Sequence, residues 1–296
     1  DDGTSAIIKD LTFFEKLKIN PSVNHGALQV FPIYGPTTLE NKSYLTLNRA
    51  MEQELVVVNE TGNVGELSIT NKSDRNIYIH SGDLVKGGRQ DRTMAYDAII
   101  PPNANGIPLK SFCVEQARWA PRGNENVHHF SSSNKMLSSK TLRYAAKYQN
   151  NQQAVWSNVA KEQLKLSENI SKNANKQINV QDNVSGSSLQ LTLEHESLKK
   201  IKKDMEVIFS GFTTKFPDAV GYAYAINGVV FGVELFNNKK LFRELWSKLS
   251  QSFMDEAIAE FDSLIYDKAS VQDVLKFIKK PHHNSDDVGN KINKKE

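Results

Sequence analysis

The densest run of residues that could do chemistry is 82–92, Gly-Asp-Leu-Val-Lys-Gly-Gly-Arg-Gln-Asp-Arg. Paired glycines beside Lys86, Arg89 and Arg92 can turn successive backbone N–H groups toward an anion, as nests do. The plainer reading, which the sequence favours, is a glycine hairpin turn with solvated charges at its tip. Neither GxGxxG nor Walker spacing is present, and no strand-then-helix context frames these glycines, so nothing here supports nucleotide binding. A second run, 111–119, reads Ser-Phe-Cys-Val-Glu-Gln-Ala-Arg-Trp. On a strand, Cys113 and Glu115 take one face, and Phe112 and Val114 the other. A thiol becomes a nucleophile when a neighbour lowers its pKa, and no histidine is tied to Cys113 in sequence. Cys113 is therefore expected to be a buried, unreactive small hydrophobe. An inward Glu115 needs a donor. Arg92, on a neighbouring strand-like segment, is the expected partner, and Arg118 is its competitor. The candidate ligand or anion site is Asp83, Lys86, Gln90, Arg92, Glu115, Arg118 and Trp119.

The histidines add little. His128-His129 falls in a polar loop and His282-His283 in the tail, without ligand-like spacing to a third His, Asp or Glu. His80 and Asp83 could hold a cation across a turn, but chance explains that pair equally well. No metal and no cofactor is expected. No Ser-His-Asp arrangement, nucleophile elbow or zincin motif occurs.

The elements that must position these residues divide the chain. Leu28–Tyr34 is strand-like and closed by Gly35-Pro36. Residues 45–54 suggest a short helix with Leu47, Ala50 and Met51 on one face. Residues 55–59 and 64–70 read as a hairpin across Thr61-Gly62-Asn63. Further strands are predicted over 76–80, 96–100 and 109–115, with a tight turn at 86–89. Short strands with regular turn signals predict a sandwich or barrel-like layer. Residues 120–140, polar and rich in Pro, Gly, Asn and Ser, are expected to form a long loop.

Helices follow. Residues 152–167 carry Trp156, Val159, Ala160 and Leu164 on one side. Residues 171–188 are Asn-, Ser- and Gln-rich and predicted to be a flexible excursion. Leu198, Ile201, Met205, Ile208 and Phe212 define the clearest helical stripe. Tyr222, Tyr224 and Ile226 alternate up to Asn227-Gly228, the favoured two-residue turn, and Phe231, Val233 and Leu235 alternate away. A long helix follows, with Phe242, Leu245, Leu249, Phe253 and Ala257 buried. The expected map is an N-terminal extension (1–23), a strand-rich region (24–119), the loop (120–140), a helical region (141–278) with a hairpin at 219–236, and a disordered tail (279–296). The fold class is α+β.

Composition bounds the function. The 296 residues are 39% hydrophobic and 24% charged, enough for a real core. Thirty-seven basic against 34 acidic residues leave a net charge of +3, too even for nucleic acid to be the main partner. No apolar run approaches the ~20 residues that cross a bilayer. One cysteine excludes an internal disulfide framework. The opening at Asp1, in a polar stretch, is read as the result of a removed export signal, which places the protein in the periplasm or outside the cell, with the cytoplasm as the alternative.

Gly82-Asp83, Gly87-Gly88, Gln90 and Arg92, followed by Ile107-Pro108, Cys113-Val114-Glu115 and Arg118-Trp119, resemble the ARG and rhodanese-phosphatase-superfamily-associated protein domain. The resemblance extends from about Val30 to Ala257 and includes Tyr44-Leu45-Thr46-Leu47, Trp156, and the stretch from Gly221 to Trp246. It implies a bacterial, often exported domain of unknown function, with no activity or cofactor to carry over. Arg89 and Ala117 depart from the Lys and Gly expected there. The residues and the resemblance lead to a non-enzymatic binding or interaction domain of the bacterial envelope, whose partner is a protein or a small anionic ligand. The alternative is a hydrolase-like enzyme with an anion cleft built from 82–92 and 113–119.

Overall fold

A computed structural model describes residues 11–265 and 267–280. The predicted tail therefore lies, beyond Lys280, outside the described residues. The protein is α+β, with sheets concentrated in the first half and helices in the second.

Six antiparallel strands form the largest sheet, in the order Phe130–Met136, Asp83–Gly87, Arg92–Met94, Ile107–Cys113, Glu66–Asn71, Val56–Glu60. Its edges meet at an isolated bridge between Asn59 and His129, where the Glu60 N–H donates to the His128 carbonyl at 2.9 Å. The sheet thus curls toward closure, which hides the strand edges. The segment expected to be a loop, 120–140, supplies its edge strand. Phe130, Ser133, Lys135 and Met136 are buried there, and a Ser-rich strand lacks the apolar alternation that would have announced it. Gly88 (φ +56°) ends the neighbouring strand, and a Cβ on it would lie 2.4 Å from the Phe130 ring. The tight turn accordingly starts at Gly88, with Lys86 and Gly87 still on the strand.

A second sheet joins the two halves of the chain. Leu28–Tyr34 pairs with Gly221–Ile226, which pairs with Val229–Leu235 across Asn227 (φ +51°) and Gly228 (φ +77°). Leu28–Tyr34 is apolar nearly throughout because both faces are covered. Leu28 and Val30 enter the main core with Tyr222, Tyr224 and Ile226. Phe31 and Ile33 enter a smaller core with Ala223, Ala225 and Val274. A third sheet runs Ala98–Ile100, Asn76–Ile79, Tyr44–Thr46; the last of these is a strand, and the predicted helix begins only at Leu47.

Lys239–Ala259 packs on these sheets through Phe242, Trp246 and Phe253, and Trp246 stacks on Phe212 at 4.4 Å. Its opposite face is also buried, and carries Lys248, Asp255 and Glu256. Two helical stripes differ from expectation. In Gln152–Ala174 the buried residues include Val155, Val159, Leu166 and Ile170, and Leu164 is 60% exposed. In Glu196–Phe209 the stripe runs through Leu198, Lys202, Met205 and Phe209, because Ile208 turns outward and Phe212 starts a separate short helix. Residues 171–188 are not a free excursion. Their first turn completes the long helix, Val180 is buried, and the Ser185–Ser188 stretch is bonded to Glu115 and Gln116, just past the end of the strand Ile107–Cys113.

Candidate functional site

The residues singled out from sequence do not form one cleft. Glu115, Arg118 and Trp119 gather at the turn 88–91 beside buried Gln90, and most of that cluster is closed. Asp91 accepts from the Gly87 N–H (2.9 Å), two Arg122 nitrogens (2.6 and 2.7 Å) and the Ser188 hydroxyl (2.7 Å). Glu115 accepts from the Asp91 N–H (3.0 Å), Arg118 Nε (2.7 Å), Arg122 Nη1 (3.4 Å) and the Ser185 hydroxyl. Burial disfavours the Glu115 carboxylate, yet these donors outweigh it and lower its pKa. At Asp91 burial, with Glu115 alongside, outweighs Arg122 and raises it. Saturated in this way, the cluster is a clamp that ties the 118–125 loop and the 185–188 stretch to the sheet.

The expected Arg92–Glu115 pair does not form. Register sets Arg92 opposite Cys113, so its Nη1 lies 2.7 Å from the Cys113 Sγ and its Nη2 3.3 Å from Glu60. Arg118 takes Glu115 instead, because the strand ends at Cys113 and Glu115 folds over the turn. Cys113 is buried, and burial pushes its pKa up to about 11 despite Arg92. Trp119 is 45% exposed, with the guanidinium groups of Arg89 and Arg92 over its ring at 5.4 and 5.9 Å. Asp83 and Lys86 face other partners, Lys248 (2.9 Å) and Glu194 (2.7 Å). Ala117 sits at φ +68°, a left-handed conformation that favours glycine. That accounts for the Gly expected there from the family pattern. Asp91 lay within the 82–92 run without being singled out, and Arg122, Ser185 and Ser188 were missed because loop serines and an isolated Arg carry no periodic signal.

An open cleft of about 420 Å³ lies elsewhere, between the three-stranded sheet, the hairpin and residues 140–148. At its floor His80 is held between two carboxylates, with Nδ1 3.1 Å from Asp97 and Nε2 2.9 Å from Glu234. Burial opposes the imidazolium, but Glu234 and Asp97 prevail and raise its pKa to about 10. Burial likewise opposes ionisation of Asp97 and Glu234. His80, joined by Lys147 at Asp97 and Arg143 at Glu234, holds both below the usual carboxylate range. Asp83 fixes the turn by accepting the His80 N–H at 3.0 Å. Among the described residues no cluster of His, Cys, Asp and Glu is arranged to hold a metal ion.

The cleft wall is one helical face. Lys140–Tyr144 continues into a π-helical turn, Ala145–Gln149, and Lys140, Arg143, Tyr144, Lys147 and Tyr148 all line the cleft. Their spacing of three and four residues places them along one side. Single π turns recur at functional sites because they reposition side chains on a helix. Arg143 reaches Glu256 (3.3 Å) and the Tyr224 hydroxyl, which donates to Glu256. Behind them Glu162 accepts from the Ser138 hydroxyl at 3.0 Å, and burial next to Glu256 pushes its pKa up to about 8. The Lys140 ammonium has no carboxylate partner among the described residues and rests 4.1 Å from the Phe231 ring centroid. This stripe was not singled out from sequence; its signal is the spacing Lys-x-x-Arg-Tyr-x-x-Lys-Tyr, and its first residue fell at the end of the segment expected to be a loop.

Fold and cleft together define an α+β domain with a cationic, tyrosine-lined pocket where sheet and helices meet. The family model of the ARG and Rhodanese-Phosphatase-superfamily-associated Protein domain matches residues 16–296, and the chain belongs to that family. No curated protein and no solved structure matches it.

Proposed function

We propose that the protein is a binding domain for a small anionic ligand, held in the His80–Arg143 cleft. The observation that carries this reading is the wall of Lys140, Arg143 and Lys147 over a pocket large enough for a small molecule. Binding is favoured over catalysis by the state of the candidate groups. A His80 protonated on both nitrogens is no general base near neutral pH, and the Ser81 hydroxyl beside it donates to the Ala95 carbonyl at 2.9 Å. The hydrolase-like alternative built on 82–92 and 113–119 has less support, since Asp91 and Glu115 are committed to arginines. An exported bacterial setting belongs to the same proposal. A sole thiol that is buried leaves an oxidising compartment nothing to cross-link, and fractionation of cells expressing the native gene tests it.

The function itself is tested by calorimetric titration with benzoate, inorganic phosphate and phenyl phosphate. At least one should bind, and Lys140→Ala with Lys147→Ala should weaken it tenfold or more, as loss of charged hydrogen bonds predicts, with the melting temperature unchanged. Binding unaffected by the double substitution overturns the assignment.

A further inference from the structure

Resting on that reading, we propose that the ligand is a phosphate monoester carried on a planar ring. Charge argues the first half. His80, Lys140, Arg143 and Lys147 line the cleft against the carboxylates of Asp97 and Glu234, and Glu256 behind the wall offsets Arg143, so the cations left to a ligand are those of the helical face. A phosphate monoester offers three strong acceptor oxygens to the three cations spaced along that face, Lys140, Arg143 and Lys147, where a carboxylate offers two. Two cations are available to it. Among the described residues Lys140 contacts a ring and no carboxylate. Lys147 is bound to Asp97 only at 3.5 Å, with both side chains solvent-accessible, a pair worth little and readily exchanged. Arg143, anchored on Glu256, supplies a fixed guanidinium between them.

Shape argues the second half. Tyr144 and Tyr148 are 55% and 48% exposed, their ring centroids 5.5 Å apart and their planes at 32°. Each directly follows a cation, Arg143 or Lys147, so the same turns bring rings and charges to one rim. Aromatic side chains left open at the mouth of a charged cleft are covered well by a planar ring, by stacking or edge contact, which is worth about a two- to tenfold gain in affinity.

The test uses the three probes above at fixed ionic strength. Phenyl phosphate should bind about tenfold more tightly than inorganic phosphate or benzoate. Tyr144→Ala with Tyr148→Ala should bring phenyl phosphate down to the affinity of inorganic phosphate while leaving the latter unchanged. Benzoate binding as tightly as phenyl phosphate overturns the phosphate monoester. Equal affinities for phosphate and phenyl phosphate, or a tyrosine variant without effect, overturn the ring. In these cases the anion-binding reading survives; failure of all three probes to bind removes both.

Discussion

Around the turn at 88–91 every carboxylate oxygen of Asp91 and Glu115 accepts at least one hydrogen bond from the protein's own donors. At the cleft the carboxylates are matched on the floor, while among the described residues Lys140 on the wall has no carboxylate partner and Lys147 only a weak one. Both regions are rich in charge, and both perturb their titratable groups. The difference lies in what is left over. A saturated, buried set of charges fixes chain segments, and an open set with surplus of one sign can exchange its partners for a ligand. Perturbed pKa values alone do not separate these cases.

The comparison breaks most visibly at the clamp. Arg122→Ala strips Asp91 of two of its donors and Glu115 of one, and removal of one member of a buried ion pair costs roughly 3–5 kcal/mol. Thermal unfolding should show a large fall in stability, and anion affinity at the cleft should be unchanged in the folded fraction. A variant as stable as the parent would mean that the clamp is not structural.

Glu162 sharpens the cleft side. Its folded pKa of about 8 lies above its ordinary value of 4.5. Its contribution to stability is therefore complete below pH 4.5 and is lost as the pH rises through about 8. The groups that share its setting are Ser138, Glu256, Asp255 and Glu260. Glu162→Gln should remove this loss, flatten the fall in melting temperature between pH 6 and pH 9, and be more stable than the parent at pH 9 by roughly 1–3 kcal/mol. Identical pH profiles for the two proteins would contradict the buried, protonated carboxyl.

Ala117→Gly has the smallest expected effect. Relief of the left-handed conformation, worth about 1 kcal/mol, is offset in part by the greater freedom of glycine in the unfolded chain. A net gain of about 0.5 kcal/mol in denaturant unfolding is expected. A loss would mean that the turn does not need that conformation.

What the sequence made legible follows from local physics. The hairpin at Asn227-Gly228 and the helix through Phe242 and Phe253 were clear because turn chemistry and a 3.6-residue period are local signals. The strand Phe130–Met136 was hidden because Ser and Asn stand where apolar residues would alternate, and its partners are forty or more residues earlier. For Glu115 the sequence put Arg92 first and Arg118 only as its competitor, yet it is Arg118, three residues along, that pairs with it. Arg122, Asp91 and the serines at 185 and 188 meet only through tertiary folding. The cleft was legible only in part: His80 drew attention through Asp83, while Asp97, just before the strand Ala98–Ile100, and Glu234, on the strand Val229–Leu235, which set its charge, reach it only through folding.

The central claim, an open cleft that binds and a closed clamp that does not, is tested most directly by a titration of the isotope-labelled protein with phenyl phosphate, followed by backbone amide NMR. Amide shifts should move at 80–81, 140–148 and 231–236 and stay fixed at 88–92 and 113–125. Shifts concentrated at 88–92 and 113–125, with the cleft silent, would contradict the account.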